Sequence, residues 1–422
     1  MLALPSMAVA IGLVAGLFYD WSSLPADAAG PKNLYEFLCK NILTEGASRL
    51  APPMMYAVFG AILSQVVMRT GIAQRIIGVA AEYAGDRKGL LAFLITVAVA
   101  ACFTSVTGLG AVIMLGSLAL PILIAAGLSA NYSACLMLFA IAIGGVFNPA
   151  ILGLYKDTLG IPLEVVTNYI LVYGALLSLA AMVFLVLGGL RERRQFAWAA
   201  VLAEPEPPRR VPALALLTPI LPIVLIMAAG YLTGKQAITE NAIIPAFLVG
   251  IVYGCVTTNP RTALQTMTAA TLEGLKDISP VIGLFMGIGM ALNAMMAEPT
   301  KVVMAPFLGA IIPNSPVGFV VFFTLLAPLA LYRGPLNFFG LGAGIAGLIL
   351  GTGLLPPVAV MAAFLAVGQI QGVCDPTNTH NVWLAQFTKG STETFLKTTL
   401  PYVWAFVLAA LCYAVFGAGA VS

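Results

Sequence analysis

Two short polar motifs interrupt apolar stretches of the chain and carry groups that can bind ions. Asn148-Pro149 ends the segment GVFNP, and much later in the chain Asp375-Pro376 ends the similar segment GVCDP. Proline cannot donate a backbone hydrogen bond and breaks a helix, which frees carbonyl oxygens beside the amide or carboxylate side chain. The recurrence therefore predicts an internal duplication with one broken helix in each copy.

Two further polar segments separate short apolar stretches. Thr104–Gly108 lies between the apolar stretches 89–103 and 109–126, and Arg333–Asn337 follows the apolar run 322–332. Hydroxyl, amide and freed carbonyl oxygens at such breaks can coordinate a cation, while the N-termini of half-helices present N–H groups to an anion. Because hydrocarbon does not tolerate unpaired backbone groups, the four breaks are expected to be enclosed by protein or to line a wet site.

Arg333 is the most informative single side chain, since it follows an apolar run and has no acidic residue near it in sequence. A guanidinium pairs with a carboxylate through two parallel hydrogen bonds, so one hypothesis is that Arg333 binds a substrate anion. The alternatives are a structural salt bridge, with Asp375 as the partner, and a side chain that extends to the membrane interface. The sequence leaves all three open.

The remaining ionisable groups near the breaks have two interpretations each. Asp375 can bind Na⁺ or carry a proton, or it can compensate the charge of Arg333. His380, the only histidine, is expected to be hydrogen-bonded rather than to shuttle protons. The adjacent Lys156 and Asp157 are expected to neutralise each other near the membrane surface.

Composition indicates a membrane protein that crosses the bilayer many times. The 422 residues are 60% hydrophobic and 9% charged, with a mean hydropathy of +1.00. A helix needs ~20 apolar residues to cross hydrocarbon. Such segments lie near residues 2–19, 51–68, 167–190, 213–230, 241–257, 279–297 and 396–417. The first lacks a basic leader and a cleavage site, and is interpreted as a retained span.

Basic residues predict the orientation of the chain. The densest cluster flanks a proline-rich loop at 204–208, and the positive-inside rule places it in the cytoplasm. The same rule places the N-terminus and the basic residues at 69–88 inside and the segment 20–49 outside, in a bacterial-type inner membrane. The cluster comprises Arg191, Arg193, Arg194, Arg209 and Arg210.

The internal similarity extends well beyond the two proline motifs. Each copy has two spans, an amphipathic segment, a helical pair with a glycine-containing break, a broken helix and a closing span. If the helical pairs are re-entrant hairpins, each copy crosses the membrane an even number of times, and the extra span near 213–230 inverts the second copy. Two ordinary spans joined by a tight turn are the alternative for 89–126. The matched residues are Glu45-Gly46, Pro53, Gly60, Gly108 and Gly127, with Glu273-Gly274, Pro280, Gly287, Gly334 and Gly353.

Local motifs resemble those of one transporter family. Thr104–Ala111, followed by 118–129, resembles the first hairpin of the anaerobic C4-dicarboxylate carriers, and Gly390–Trp404 resembles the close of their second unit. Those carriers belong to the ion transporter superfamily, together with citrate, gluconate and divalent-anion symporters. Its Na⁺-dicarboxylate branch has a Ser-Asn-Thr hairpin tip, where this chain has Thr-Ser-Val-Thr and Arg-Gly-Pro-Leu-Asn.

The resemblance implies a homodimer in which a mobile transport part moves like an elevator against a scaffold. The scaffold parts are expected at 1–88 and 241–313, the transport parts at 89–190 and 314–422, and a cytoplasmic loop with a connecting span at 191–240. Together with Arg333, the resemblance points to the substrate-binding residues Thr104, Ser105, Thr107, Asn148, Asn337, Asp375, Thr377 and Asn378. Na⁺ is expected at Thr104, Ser105, Asn148, Asp375 and Asn378.

The predicted fold is an all-α polytopic membrane protein with inverted repeats, two re-entrant hairpins and two broken helices. The predicted function is a symporter for a small organic anion, a di- or tricarboxylate, coupled to Na⁺ or H⁺. A cation/proton antiporter of the same superfamily is the alternative, with Asp375 binding H⁺ and Na⁺ in turn. Expected partners are the anion, lipid and a second copy, with no nucleic acid and no further cofactor. An enzyme is not expected, since no metal motif, nucleophile–base set or phosphate loop is present.

Overall fold

The computed structural model describes residues 3–23, 31–191, 211–233, 241–313 and 315–421. These residues are mostly helical and contain no β-strand, which confirms the predicted all-α membrane fold. The first helices are α1 (Ala3–Leu17), α2 (Glu36–Arg69), α3 (Ile72–Ala84), α4 (Lys88–Phe103), α5 (Leu109–Ala125), α6 (Ala130–Val146), α7 (Pro149–Leu159) and α8 (Leu163–Arg191). The basic loop residues Arg193, Arg194, Arg209 and Arg210 lie outside the described residues.

The second half of the chain repeats this order after one connecting helix. The connecting helix is α9 (Leu221–Thr233), preceded by a 3₁₀ segment, Ala213–Leu217. The repeated helices are α10 (Ile243–Thr258), α11 (Ala263–Met296), α12 (Glu298–Ile311), α13 (Pro316–Leu326), α14 (Leu341–Thr352), α15 (Pro357–Cys374), α16 (Thr379–Thr388) and α17 (Thr392–Cys412). Helices α10 to α17 follow the order of α1 to α8, and α2 and α11 are each 34 residues long.

Helices α2 and α11 pack against each other through reciprocal close contacts. A Cβ at Gly46, in the first half of α2, would lie 2.7 Å from the Cα of Met290, near the end of α11. A Cβ at Gly274, in the first half of α11, would lie 2.9 Å from the Cα of Ile62, near the end of α2. The first half of each helix therefore contacts the second half of the other, which means that α2 and α11 run antiparallel.

Polar side chains repeat this reciprocal relation. The Arg49 guanidinium donates to the side-chain carbonyl oxygen of Asn293 at 2.7 Å, and the Gln65 side-chain amide donates to the Asp277 carboxylate at 2.5 Å. Arg49 is as far from Asp277 along the chain as Gln65 is from Asn293, so Arg49 corresponds to Asp277 in the repeat and Gln65 corresponds to Asn293. Exchange of equivalent partners is the signature of a two-fold relation. Because the equivalent helices are antiparallel, the two copies are inverted, as predicted.

The long helices differ from the sequence prediction. The predicted spans 51–68 and 279–297 are only the second halves of α2 and α11, which begin at Glu36 and Ala263. Charged residues in the first halves, such as Arg49 and Asp277, interrupt the apolar pattern from which spans are predicted. The structure satisfies these two side chains with partners on the opposite long helix.

Short helices form the predicted hairpins. Helices α4, α5 and α14 contain 16, 17 and 12 residues, fewer than the ~20 that cross hydrocarbon. A 3₁₀ segment, Ala327–Arg333, continues α13 to the tip of the second hairpin. The break between α6 and α7 bends that span by 56°. The break at 375–378 separates α15 from α16 with a smaller bend, so both predicted breaks are present.

Candidate functional site

The second break meets the tip of the second hairpin through one carboxylate. Asp375 is fully buried. Its Oδ1 accepts from the backbone N–H of Tyr332 at 3.1 Å, and its Oδ2 accepts from the backbone N–H of Arg333 at 3.3 Å. Oδ1 also accepts from both the backbone N–H and the hydroxyl of Thr377, each at 2.8 Å. Four donors thus hold the carboxylate between two elements.

These hydrogen bonds hold an unusual backbone. Tyr332 and Arg333 both have φ of 55°, in the left-handed region that side chains other than glycine rarely adopt. Each residue in that region costs roughly 1–2 kcal/mol. The Asp375 carboxylate binds the two N–H groups that this conformation presents together, and so stabilises it. The hairpin tip therefore depends on a residue 42 positions away in the chain.

The Arg333 side chain does not form the salt bridge that was one of its three interpretations. No ion pair joins its guanidinium to an acidic side chain within the described part of the chain, and its contact with Asp375 is through the backbone. The side chain is exposed at the hairpin tip. The guanidinium is thus available to an anion or to the membrane interface. Its neighbour Tyr332 donates its hydroxyl to Glu393 at 3.0 Å.

The first break meets the first hairpin through an amide. Asn148 is fully buried and caps α7, because its side-chain oxygen accepts from the backbone N–H of Ala150 at 3.0 Å. Its amide nitrogen donates to the carbonyl oxygen of Phe103, the last residue of α4, at 3.4 Å. Asn148 and Asp375 therefore occupy equivalent positions and make equivalent connections with opposite hydrogen-bonding polarity.

The three hydroxyl residues at the first hairpin tip face different surroundings. The Thr104 hydroxyl lies 2.7 Å from the carbonyl oxygens of both Ala101 and Pro219, which ties the tip to the connecting segment before α9. The Ser105 hydroxyl is buried and has no hydrogen-bond partner among the described residues. Thr107 is half-buried. Of the three, Ser105 is the one whose buried oxygen remains available to a ligand.

The other predicted residues lie in the second half. The Asn337 side-chain oxygen accepts from the backbone N–H of Phe339 at 2.9 Å, which shapes the return of the hairpin. Asn378 caps α16 by accepting from the backbone N–H of His380 at 3.4 Å. Its amide nitrogen also donates to the carbonyl oxygen of Gln371 at 3.3 Å. Asn337 thus shapes the second hairpin, and Asn378 shapes the second break.

Packed helices and aromatic rings connect the two halves of the site. The broken helices α6 and α15 are in contact, and α16 packs against both α5 and α6. Tyr155 of α7 stacks on Phe338, with ring centroids 4.7 Å apart, and donates its hydroxyl to the Phe364 carbonyl oxygen at 3.4 Å. The structure therefore brings both breaks and both hairpins into one bundle. The contacts of each break with its own hairpin tip remain within one half, whereas the Tyr155 hydroxyl joins the two halves.

Sequence reasoning missed two polar residues at the second hairpin and break. Tyr332 supplies a backbone donor to Asp375 and links the hairpin to Glu393. Asn381 is fully buried and donates to the Val373 carbonyl oxygen at 2.9 Å, while its own oxygen has no partner among the described residues. Its place in the polar run 377–381 was a usable signal. The role of Tyr332 depends on backbone dihedral angles, which the sequence pattern does not give.

A separate cavity of about 310 Å³ lies between α4, α6 and α8. Its lining is mainly apolar and includes Phe93, Ile143, Phe147 and Met182. Thr104 also lines it, whereas Arg333 and Asp375 do not. The cavity is thus distinct from the polar region at the second break.

Comparison with known structures identifies the fold. The YdaH transporter of Alcanivorax borkumensis, which has an unusual topology, is similar with a TM-score of 0.67 and 16% identity over 99% of this chain and 98% of that chain. MtrF of Neisseria gonorrhoeae, from a class of antimetabolite efflux pumps, is similar with a TM-score of 0.55 and 14% identity over 98% of this chain and 94% of that chain. No protein-family model and no curated protein matches the sequence.

At these identities the likeness concerns the fold alone. The chain is a multi-pass membrane protein with the fold of these transporters. Both are transporters rather than enzymes, in agreement with the expectation that the chain is not an enzyme.

Proposed function

We propose that the chain is a secondary active symporter for a small organic anion, a di- or tricarboxylate, coupled to Na⁺ or H⁺. The observation that carries the proposal is the exposed Arg333 guanidinium, which has no acidic partner among the described residues. Asp375 fixes the backbone from which this side chain projects. An arginine in this position favours a carboxylate substrate, because its planar fork matches the two carboxylate oxygens.

The mechanism proposed is an elevator in a homodimer in a bacterial-type inner membrane. The scaffold comprises residues 1–88 and 241–313, and the transport parts comprise residues 89–190 and 314–422. Residues 191–240 connect the two copies. The N-terminus is proposed to lie in the cytoplasm. The reciprocal packing of α2 against α11 supports a scaffold shared by both copies. The likeness of the fold to those of the transporters YdaH and MtrF supports a transport function. MtrF belongs to an efflux class, so transport is to be assayed in both directions.

Ligands are proposed at both breaks. The substrate would contact Arg333 together with hydroxyl and amide groups of Thr104, Ser105, Thr107, Asn148, Asn337, Asp375, Thr377 and Asn378. Na⁺ would be bound by oxygens of Thr104, Ser105, Asn148, Asp375 and Asn378. Among these, the buried and unpartnered Ser105 hydroxyl best supports a cation ligand. Asp375 supports it least, since its two oxygens already accept four hydrogen bonds.

The cation/proton antiporter is the weaker candidate. It requires Asp375 to bind H⁺ and Na⁺ in turn, yet three of the four donors to Asp375 are backbone N–H groups that cannot reverse their polarity. Protonation would place a donor against donors and release the hairpin tip. The exposed Arg333 would also lack a role in an antiporter that carries only cations.

A substrate panel followed by site variants tests the proposal. Purified protein is screened by thermal shift with succinate, fumarate, citrate and gluconate, with and without Na⁺, since a bound ligand raises stability by mass action. Radiolabelled uptake of any ligand is then measured in proteoliposomes. A charge-assisted pair is worth about 1.5–3 kcal/mol, so Arg333→Gln should raise KM roughly tenfold or more.

Two further variants separate charge from geometry. Arg333→Lys keeps the charge without the planar fork and should recover only part of the affinity. Arg87→Gln, at an exposed arginine before α4, is the matched control and should transport like the wild type. Wild-type kinetics in Arg333→Gln would remove Arg333 from the site. No uptake or efflux of any panel member would reject the function.

A further inference from the structure

A second charged site lies on α7, away from the Asp375 region. The Lys156 ammonium contacts the Asp157 carboxylate at 3.2 Å, and each side chain is 18% exposed. Asp157 lies just over two helical turns beyond the break at Pro149, which is about 12 Å of helix. Half the hydrocarbon thickness is about 15 Å, so the pair lies inside the membrane if the break is near its centre. Ionisable groups at such depth are costly and usually functional.

The Asp157 carboxylate has fewer hydrogen-bond donors than the Asp375 carboxylate. Its Oδ1 contacts Lys156, while its Oδ2 is inaccessible to solvent and has no hydrogen-bond partner among the described residues. Asp375, by contrast, is fixed by four donors. A buried polar oxygen without a donor is costly, so Oδ2 is the atom of this pair that is open to a further ligand.

Asp157 lies where the broken helix meets the second half of the long helix α2. The Tyr56 ring of α2 packs directly on Gly153, and Asp157 follows on the same face of α7 one turn later. This packing places the Tyr56 hydroxyl near the Asp157 carboxylate.

Few other charges face this part of α7. The helix packs against the second half of α2 and against α6, α8, α10 and α15. The charged residues on these described elements are Arg69, which is paired with Glu273, exposed Glu164 at the start of α8, and Arg191 at its end. All three lie at helix ends, so the Lys156 ammonium is the charge closest to the Asp157 carboxylate.

The fold itself does not require charges at this position. The offset that relates Asn148 to Asp375 places Trp383-Leu384 opposite Lys156-Asp157. Leu384 is fully buried in the second copy. The two equivalent positions in the second copy are therefore apolar, and the ion pair is specific to the first copy.

The same helix turn reaches the second hairpin. Tyr155, the neighbour of Lys156, stacks on Phe338, which adjoins Asn337. Asp157 lies where α7 meets α2, and the same helix α7 also contacts the hairpin of the proposed substrate site. A change in the charge of Asp157 therefore acts on a helix that touches this hairpin. This arrangement connects an ionisable group to the part of the protein that is proposed to move.

We propose that Asp157, with Lys156 and Tyr56, is the proton-binding site that couples anion transport to H⁺. This inference rests on the proposed anion symport and selects H⁺ as its coupling ion. One proton from the aqueous solution adds to the Asp157 carboxylate while Lys156 keeps its charge, so the pair changes from neutral to a single positive charge. Na⁺ is disfavoured at this place, because the Lys156 ammonium already occupies the carboxylate and repels a metal cation.

Proteoliposome assays separate coupling from binding. Wild-type protein should accumulate the radiolabelled panel anion when a pH gradient is imposed without Na⁺. Asp157→Asn should lose this accumulation, by at least tenfold, and keep the exchange of labelled for unlabelled anion. Asp157→Glu should restore part of the accumulation. Asp86→Asn, at an exposed carboxylate before α4, is the matched control and should behave like the wild type.

Lys156→Gln provides a second test that does not depend on Asp157→Asn folding. Lys156 is the charge that contacts the carboxylate, so its removal should change the pH profile of uptake. Four results would each overturn the inference. Asp157→Asn could still accumulate anion when driven by protons, or it could lose both accumulation and exchange. Lys156→Gln could show an unchanged pH profile, or the wild type could accumulate anion when driven by Na⁺ alone. Absence of any anion transport by the wild type would instead reject the proposed function.

Discussion

In the first copy an asparagine connects the broken helix to its hairpin, and in the second copy an aspartate does so. Asn148 donates to the Phe103 carbonyl oxygen, whereas Asp375 accepts from the N–H groups of Tyr332 and Arg333. The difference follows from what each hairpin presents. The first ends α4 with a free carbonyl group, and the second turns two N–H groups towards the break. Both copies thus keep a hydrogen bond between the broken helix and its hairpin, although the side chain that makes it differs.

The hairpin tips also differ in how they reverse direction. The first has its left-handed residue at Gly108, with φ of 91°, where the absence of a Cβ removes the steric cost. The second has its left-handed residues at Tyr332 and Arg333, although Gly334 aligns with Gly108 in the repeat. A glycine would make that turn at lower cost. The second tip therefore retains two strained side chains, one of which is the proposed anion ligand.

The largest effect is expected from Asp375→Asn. The amide nitrogen of asparagine would face at least one backbone N–H donor, and the left-handed tip would lose one of its two acceptor oxygens. We expect a loss of roughly 1–3 kcal/mol of stability at the tip and a fall in transport of more than tenfold. Thermal melting and proteoliposome uptake measure the two effects. Wild-type behaviour in both would mean that the tip does not depend on this carboxylate.

Reciprocal glycine variants test the equivalence of the copies. A methyl group at Gly46 or Gly274 would collide with the backbone of the opposite long helix, which cannot move aside by rotating a side chain. Overpacking of this kind costs about 1–3 kcal/mol, so Gly46→Ala and Gly274→Ala should lower the melting temperature by similar amounts. Gly78→Ala, with open space around it, is the control. A large effect at one position alone would contradict the reciprocal packing.

A smaller effect is expected from Asn148→Asp. The aspartate still caps α7 through Ala150, but its carboxylate would repel the Phe103 carbonyl oxygen instead of donating to it. We expect roughly 1 kcal/mol of destabilisation, the value of one hydrogen bond. Melting curves of Asn148→Asp and Asp375→Asn show which of the two substitutions destabilises the protein more. Destabilisation by Asn148→Asp greater than that by Asp375→Asn would reverse the comparison between the two breaks.

The sequence predicts the breaks and the inversion because proline, glycine and apolar length are local signals. Asn148 and Asp375 are found at the predicted breaks, and the predicted matches of Gly46 with Gly274 become reciprocal packing. The partners of Asp375 could not be predicted, since they depend on the dihedral angles of a hairpin far away in the chain. Thr104 was expected to contact ligand, and its bond to the Pro219 carbonyl oxygen depends on a long-range contact with the connecting segment.

Side-specific labelling tests the central claim most directly, since the proposed site requires two inverted copies. Arg75 on α3 and Lys301 on α12 occupy equivalent positions on the amphipathic helices. The number of residues between them is the same as between the matched glycines Gly108 and Gly334. Single cysteines at these positions, in a background without the six native cysteines, are treated in cells with an impermeant thiol reagent. The account predicts labelling of the two positions from opposite sides of the membrane. Labelling of both from the same side would contradict it.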